Sequence, residues 1–100
     1  MKLKQINMIS KGLGEFFKLP LKGPIKFKIV RNARAADTIL EDAIKANNND
    51  PNLPIELLEE EAPVTFEKFT IEELEDIEVT PEVIYTLWDI IETKEEINEY

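Results

Sequence analysis

Apolar residues recur with the period of an α-helix along the first half of the chain, and this repeat constrains the fold more than any other feature. From Leu3 to Phe17 they return every three or four positions, which places them on one face of a helix. The spacing predicts a first helix over 3–18. Gly12 and Gly14 lie within it, and each lowers helix stability by about 1 kcal/mol relative to alanine, so that a break or kink near them stays open.

The same period continues after a turn at Gly23 and Pro24 and predicts a second helix over 24–46. Pro24 suits the first position of a helix, where its missing N–H group costs nothing. Residues 25–29 also alternate strictly between apolar and polar side chains, which is typical of a half-buried strand. Helix and strand therefore both remain open for this segment.

The second half of the chain predicts shorter elements, separated by asparagine and proline. In chain order they are a loop over 47–52, a helix over 55–61, a strand over 64–69, a helical turn over 71–76, a strand over 77–79 and a helix over 81–92. Thr70 and Glu73 have the spacing of a capping box, and Thr80-Pro81 is a strong helix start. The polar residues 93–100 predict a frayed end.

Together these elements predict an α+β, mainly helical fold in a single domain over 1–100. Three main helices pack together, and the strands 64–69 and 77–79 form a small two-stranded β element at one edge. A chain of 100 residues, 43% of them hydrophobic, is expected to bury one core. The aromatic residues expected in that core are Phe16, Phe17, Phe66, Phe69 and Trp88.

Charge is divided unevenly along the chain. Residues 1–34 contain nine lysines and arginines and one acidic residue, whereas residues 35–100 contain three basic and twenty acidic residues. Two interpretations stay open. In the first, the basic part and the acidic part fold against each other and partly neutralise one another. In the second, one of the two parts, with the acidic one favoured, contacts a partner.

The composition argues against catalysis. The chain has no cysteine and no histidine, so it lacks a thiolate nucleophile and the usual proton shuttle of neutral pH. Ser10 is the single serine and has no histidine to activate it. The acidic residues at 72–78 predict a solvated face rather than a metal site, and no phosphate-binding glycine loop is present. We therefore expect no catalytic, metal-binding or cofactor-binding residues.

No apolar run reaches the length of about 18 residues that spans a bilayer, and no secretory signal is evident. We expect a cytoplasmic protein without membrane association. Direct nucleic-acid binding is not expected either, because the net charge of −9 repels phosphate.

The residues expected to contact a partner are one aromatic on the polar side of the second helix and the acidic and aromatic side chains near the last two helices. They are Phe27, Glu72, Glu73, Glu75, Asp76, Tyr85, Asp89 and Glu92. An aromatic surrounded by acids, as at Tyr85, is typical both of contact surfaces and of an ordinary solvated face.

Short motifs resemble an uncharacterised family of small proteins from tailed bacteriophages and prophages of Gram-positive bacteria. They are Leu19-Pro20-Leu21-Lys22, the stretch from Phe27 to Asn32, the stretch from Val64 to Leu74 and Val79-Thr80-Pro81. The resemblance implies a phage origin and action in the bacterial host cytoplasm, with no catalytic residues to carry over.

The function expected from these observations is non-enzymatic binding of a host or phage protein, which the chain blocks or regulates. Two alternatives stay open. One is an acidic nucleic-acid mimic that inhibits a host nucleic-acid-binding or defence protein. The other is a structural or assembly accessory of the phage, in which self-association is possible.

Overall fold

The computed structural model describes residues 1–75 and 77–92, and it is mainly helical. The described elements are α1 (Leu3–Phe17), α2 (Gly23–Ala46), α3 (Ile55–Leu58), α4 (Ile71–Leu74), α5 (Pro81–Thr86) and a 3₁₀ turn over Trp88–Ile90. The two helices predicted from the apolar repeat are confirmed, and residues 25–29 are helical. The expected frayed end at 93–100 lies outside the described residues.

Helix α1 is the centre of the packing, because α2, α3 and α5 all contact it. Its apolar face is buried, as the repeat predicts. The larger of two core clusters consists of Ile9, Leu13, Phe16, Ile25, Ile29, Phe69, Val83, Leu87, Ile90 and Ile91. Phe16 and Phe69 meet edge to face there, with ring centroids 5.3 Å apart, which is a favoured aromatic geometry.

The loop after α2 is built by asparagines, as predicted. Asn48 and Asn49 have φ angles of 57° and 64°, in the left-handed region that asparagine tolerates better than most residues. The Asn47 side chain donates hydrogen bonds to the carbonyl oxygens of Asp50 and Asn52. These bonds hold the loop closed, so that α3 returns toward the start of α1.

The predicted two-stranded β element is wrong, since residues 1–75 and 77–92 contain no β-strand. The stretch over 64–69 lacks regular secondary structure, and no strand at 77–79 pairs with it. Instead, the buried Asn32 side chain bonds both backbone groups of Glu67, each at 2.9 Å. Phe69 forms an isolated bridge with Ile91. These partners occupy backbone groups that the predicted sheet would have used. The alternation of apolar and polar residues over 64–69 is therefore not sufficient to predict a strand.

The last predicted helix, over 81–92, is shorter than its apolar period indicates. α5 ends at Thr86, a 3₁₀ turn follows, and Ile91 is extended. The Thr86 hydroxyl donates a hydrogen bond to the Val83 carbonyl at 2.8 Å, a local bond that competes with continued helix. The change of direction brings Ile90 and Ile91 into the core beside Phe69.

This turn also redirects the aromatic side chains. Trp88 was expected in the core but is 56% exposed, because the helix that would have aligned it with Ile84 ends before it. Phe17 is 42% exposed, whereas its neighbour Phe16 is buried. Adjacent residues on a helix point about 100° apart, so only one of this pair can face the core.

Two short helices end earlier than predicted. α3 covers the start of the helix expected over 55–61, and α4 the start of the turn expected over 71–76. The capping box of α4 is confirmed: the Thr70 hydroxyl accepts the Glu73 N–H at 3.1 Å, and the Glu73 carboxylate accepts the Thr70 N–H at 2.8 Å.

The two oppositely charged parts of the chain are joined by ion pairs. Lys28 Nζ lies 2.8 Å from the Glu73 carboxylate, with both side chains largely buried, and Arg31 forms a bidentate pair with Glu67. At the other end, Lys2 and Lys4 both bind Glu59 at 2.7 Å. The partial internal neutralisation that the charge pattern suggested is therefore present.

Candidate functional site

An open apolar surface lies between α1 and α5. Met8 of α1 is 43% exposed, and Tyr85 and Trp88 on the other side are 69% and 56% exposed. They surround a cavity of about 660 Å³, which we call the α1–α5 groove. Its lining residues are Gln5, Met8, Ile9, Pro81, Ile84, Tyr85, Thr86, Trp88 and Asp89.

One wall of the groove depends on how α5 begins. Thr80 precedes the helix in an extended conformation, and its hydroxyl accepts the Val83 N–H at 3.4 Å. Pro81 follows at the first helical position, where it is best tolerated. The sequence signal Thr80-Pro81 therefore fixes the start of α5. Val83 and Leu87 point into the core, and Tyr85 faces solvent.

The glycine at position 12 lets the two walls approach. A Cβ atom built on Gly12 would overlap the Thr86 hydroxyl and lie 2.9 Å from the Thr86 Cβ atom. Real Cβ atoms do not come so close, so α1 and α5 can pack at this distance only because residue 12 has no side chain. Gly14 has no such neighbour within 4 Å.

One carboxylate, that of Asp89, stands among the residues that line the groove. The Gln5 side-chain amide donates to the Asp89 carboxylate at 3.4 Å and links the two walls. Glu82 is exposed on another side of α5, where it lines a separate cavity with Lys11 and Glu15. Among the residues that the structure describes, neither Asp89 nor Glu82 forms an ion pair. The charge of Asp89 is therefore available to a ligand in the groove.

Two of the sequence-predicted contact residues, Tyr85 and Asp89, are brought together in this groove. Met8 and Trp88 are also exposed in the groove, and neither was predicted to contact a partner. Met8 lies off the apolar face of α1 that the repeat defines, so its exposure agrees with the helical period, but nothing in the sequence indicated that α5 would lie beside it. The exposure of Trp88 could be predicted only if the end of α5 at Thr86 were known.

Phe27 is exposed, as predicted, but on α2 and not in the groove. It is 62% exposed, and the Arg31 guanidinium lies 4.6 Å from its ring centroid. A similar contact places Lys26 Nζ 4.7 Å from the ring of Phe17. Such cation–π contacts stabilise an exposed aromatic ring modestly. They make this side of the molecule basic and aromatic.

The predicted acidic contact residues have different surroundings. Glu72 and Glu75 are exposed, and Asp76 lies outside the described residues. Glu92 is half-buried, and its backbone N–H donates to the Phe69 carbonyl at 2.9 Å.

Glu73 has an internal role. Burial raises its pKa, but hydrogen bonds from Lys28 and from the Thr70 N–H act more strongly together, so that the pKa is lowered overall. Its carboxylate is thus engaged with α2 and with the start of its own helix.

The described part of the chain offers no cluster of three or more acidic side chains arranged to hold a metal ion. None of the described helices is long and apolar enough to cross a membrane.

Comparisons with known proteins identify no relative of this chain. Neither a protein-family model, nor a curated protein, nor a solved structure matches the chain. The functional conclusion must therefore come from the surface itself.

Proposed function

We propose that this chain is a non-enzymatic protein-binding module that docks onto a host or phage protein through the α1–α5 groove and blocks or regulates it. The observation that carries the proposal is the solvent-open cluster of Met8, Tyr85 and Trp88 with the Asp89 carboxylate at its edge. The proposed setting, a phage or prophage protein acting in the bacterial cytoplasm, rests on the sequence resemblance alone.

The composition of the groove supports a protein partner. Soluble monomers rarely expose contiguous apolar surface without a use for it. Tryptophan and tyrosine are enriched among the residues that dominate binding energy at interfaces, and methionine is enriched there as well. Met8 adds a flexible side chain that can adapt to the shape of a ligand.

The shape and charge of the groove indicate the kind of segment it accepts. Its walls are two helices, and an amphipathic helix of a partner can lay its apolar face between them. The Asp89 carboxylate favours lysine or arginine beside the apolar anchors, because unlike charges across an interface guide and orient association. We therefore propose a basic amphipathic segment as the ligand.

Affinity capture from a bacterial host lysate tests this function. With the wild-type chain as bait, we expect one predominant bound protein, and Trp88→Ala should reduce its recovery by about tenfold or more, as for a central interface residue. The matched control is Ile55→Ala, because Ile55 is also exposed but lies on α3. Equal recovery on both variants would show that the groove is not the contact surface.

An acidic nucleic-acid mimic is the second candidate. It is favoured by Glu72, Glu75 and Glu78, which are exposed and form no ion pair within the described ranges. A complex of this kind would be displaced by DNA or RNA and would weaken steeply as salt rises. Trp88→Ala would leave it unchanged, so the same capture experiment separates the two candidates.

A further inference from the structure

A basic and apolar ridge runs along the outer face of α2. Phe27, Val30 and Arg34 follow one another at i, i+3 and i+7, the spacing that aligns side chains on one side of a helix. All three are exposed. We call this surface the α2 ridge.

The charge on the ridge is available for a contact between molecules. Arg31 is engaged by Glu67, whereas Arg34 forms no ion pair within 1–75 and 77–92. The ridge therefore presents an aromatic ring and an unpaired guanidinium group on the same side of one helix.

The α2 ridge has the features that the α1–α5 groove lacks. The ridge presents the exposed Phe27 ring and the Arg34 guanidinium, although Val30 and Arg34 also line a cavity toward α1, whereas the groove is an apolar cavity with the Asp89 carboxylate among its lining residues. We infer that the groove of one molecule binds the α2 ridge of a second copy of this chain. This inference rests on the proposed function, because it assigns an occupant to the same groove.

The proposed contact follows the ordinary packing of helices. Phe27 of one copy enters between Met8 and Trp88 of the other. Arg34 lies about 10 Å further along its helix, from seven residues at 1.5 Å each, and meets the Asp89 carboxylate at the edge. Two molecules joined in this way bury exposed aromatic side chains of both copies, which is the main source of affinity.

The total charge of −9 opposes self-association. At a salt concentration of 0.15 M, charges more than about 8 Å apart are largely screened, whereas the close contacts of the interface persist. The association should therefore be measured at this salt concentration and over a wide range of protein concentration.

Sedimentation velocity of the purified chain tests the inference. We expect the wild type to self-associate as its concentration rises. Trp88→Ala removes the groove contact and Phe27→Ala the ridge contact, so each variant alone should be monomeric. Mixed in equal amounts, they should form a 1:1 complex, because one supplies an intact ridge and the other an intact groove. Ile55→Ala should associate like the wild type.

Charge reversal provides a second test that does not depend on truncating an aromatic residue. Arg34→Glu and Asp89→Lys should each weaken self-association, and the double variant should recover it, because the opposite charges then meet again across the interface. Circular dichroism of every variant establishes that the helices are retained.

The outcomes separate this inference from the proposed function. A wild type that stays monomeric, or self-association that survives both Trp88→Ala and Phe27→Ala, overturns the inference. If a lysate protein is still captured in a Trp88-dependent manner, the proposed function stands without self-association. Formation of the mixed complex with recovery in the charge-reversed double variant supports the inference, even when no lysate protein is captured.

Discussion

Asn32 shows how one residue replaces a predicted element. It is 2% exposed, and its amide both donates to the Glu67 carbonyl and accepts the Glu67 N–H. An unsatisfied polar group at this depth would be costly, and here both of its ends are used. The side chain pairs with the backbone as the edge of a neighbouring strand would do, and no sheet is required.

Replacement of this amide should therefore destabilise the fold. Asn32→Leu leaves the Glu67 backbone groups without partners, and we expect the free energy of unfolding to fall by about 2 kcal/mol. Asn7→Leu, on the partly exposed side of α1, should change it by less than about 0.5 kcal/mol. Urea denaturation measures both. Equal stability of the two variants would mean that the Asn32 bonds contribute nothing.

At the scale of elements, the long helices were predictable and the short ones were not. The repeat from Leu3 to Phe17 specifies which face of α1 is buried, because a helical period is a local property. The segment 64–69 has the alternation of a strand, but pairing depends on residues far away in the chain. The end of α5 at Thr86 likewise depends on how Ile90 and Ile91 reach the core.

The same limit applies to the candidate site. Tyr85 and Asp89 could be proposed from their spacing in a presumed helix, and the groove contains both. The exposure of Trp88 could not, because it results from the 3₁₀ turn. That Met8 lies beside α5 could not be predicted either, since the approach of α1 and α5 depends on a contact between Gly12 and Thr86.

Alanine substitution at the two glycines of α1 tests this packing. Gly14→Ala meets no atom within 4 Å and should raise the free energy of unfolding by about 1 kcal/mol through helix propensity. Gly12→Ala gains the same propensity but must push Thr86 away, so we expect a net loss of stability. Thermal unfolding, followed by circular dichroism, compares them. Stabilisation by Gly12→Ala would refute the close contact.

At the scale of the whole molecule, ion pairs join the basic first part of the chain to the acidic second part. Hydrogen bonds from Lys2 and Lys4 lower the pKa of Glu59 to about 2, and the hydrogen bond from Arg31 lowers the pKa of Glu67. These pairs are largely exposed, so salt weakens them. Asp89 forms no ion pair among the described residues and keeps its charge available to a partner at the groove.

The pH dependence of stability follows from these shifts. A lowered pKa in the folded state means that Glu59 stabilises the fold fully above its ordinary pKa near 4.5 and loses this contribution as pH falls toward about 2. Glu59→Gln should therefore lower the Tm at pH 6, and the difference from wild type should shrink toward pH 2.

The matched control is Glu56→Gln, since Glu56 is exposed on α3 and forms no ion pair within 1–75 and 77–92. Its Tm difference from wild type should stay small at both pH values. A Tm difference for Glu59→Gln that is independent of pH would mean that the carboxylate charge does not act through Lys2 and Lys4.

The central claim is that the α1–α5 groove is the contact surface, and Trp88 reports on it directly because it is the single tryptophan of the chain. Acrylamide quenching of its fluorescence should be efficient in the free protein, where the side chain is 56% exposed. We expect quenching to fall when the chain binds a tryptophan-free fragment of its captured partner or, at high concentration, another copy of itself. A complex in which Trp88 is quenched as readily as in the free chain would contradict the account.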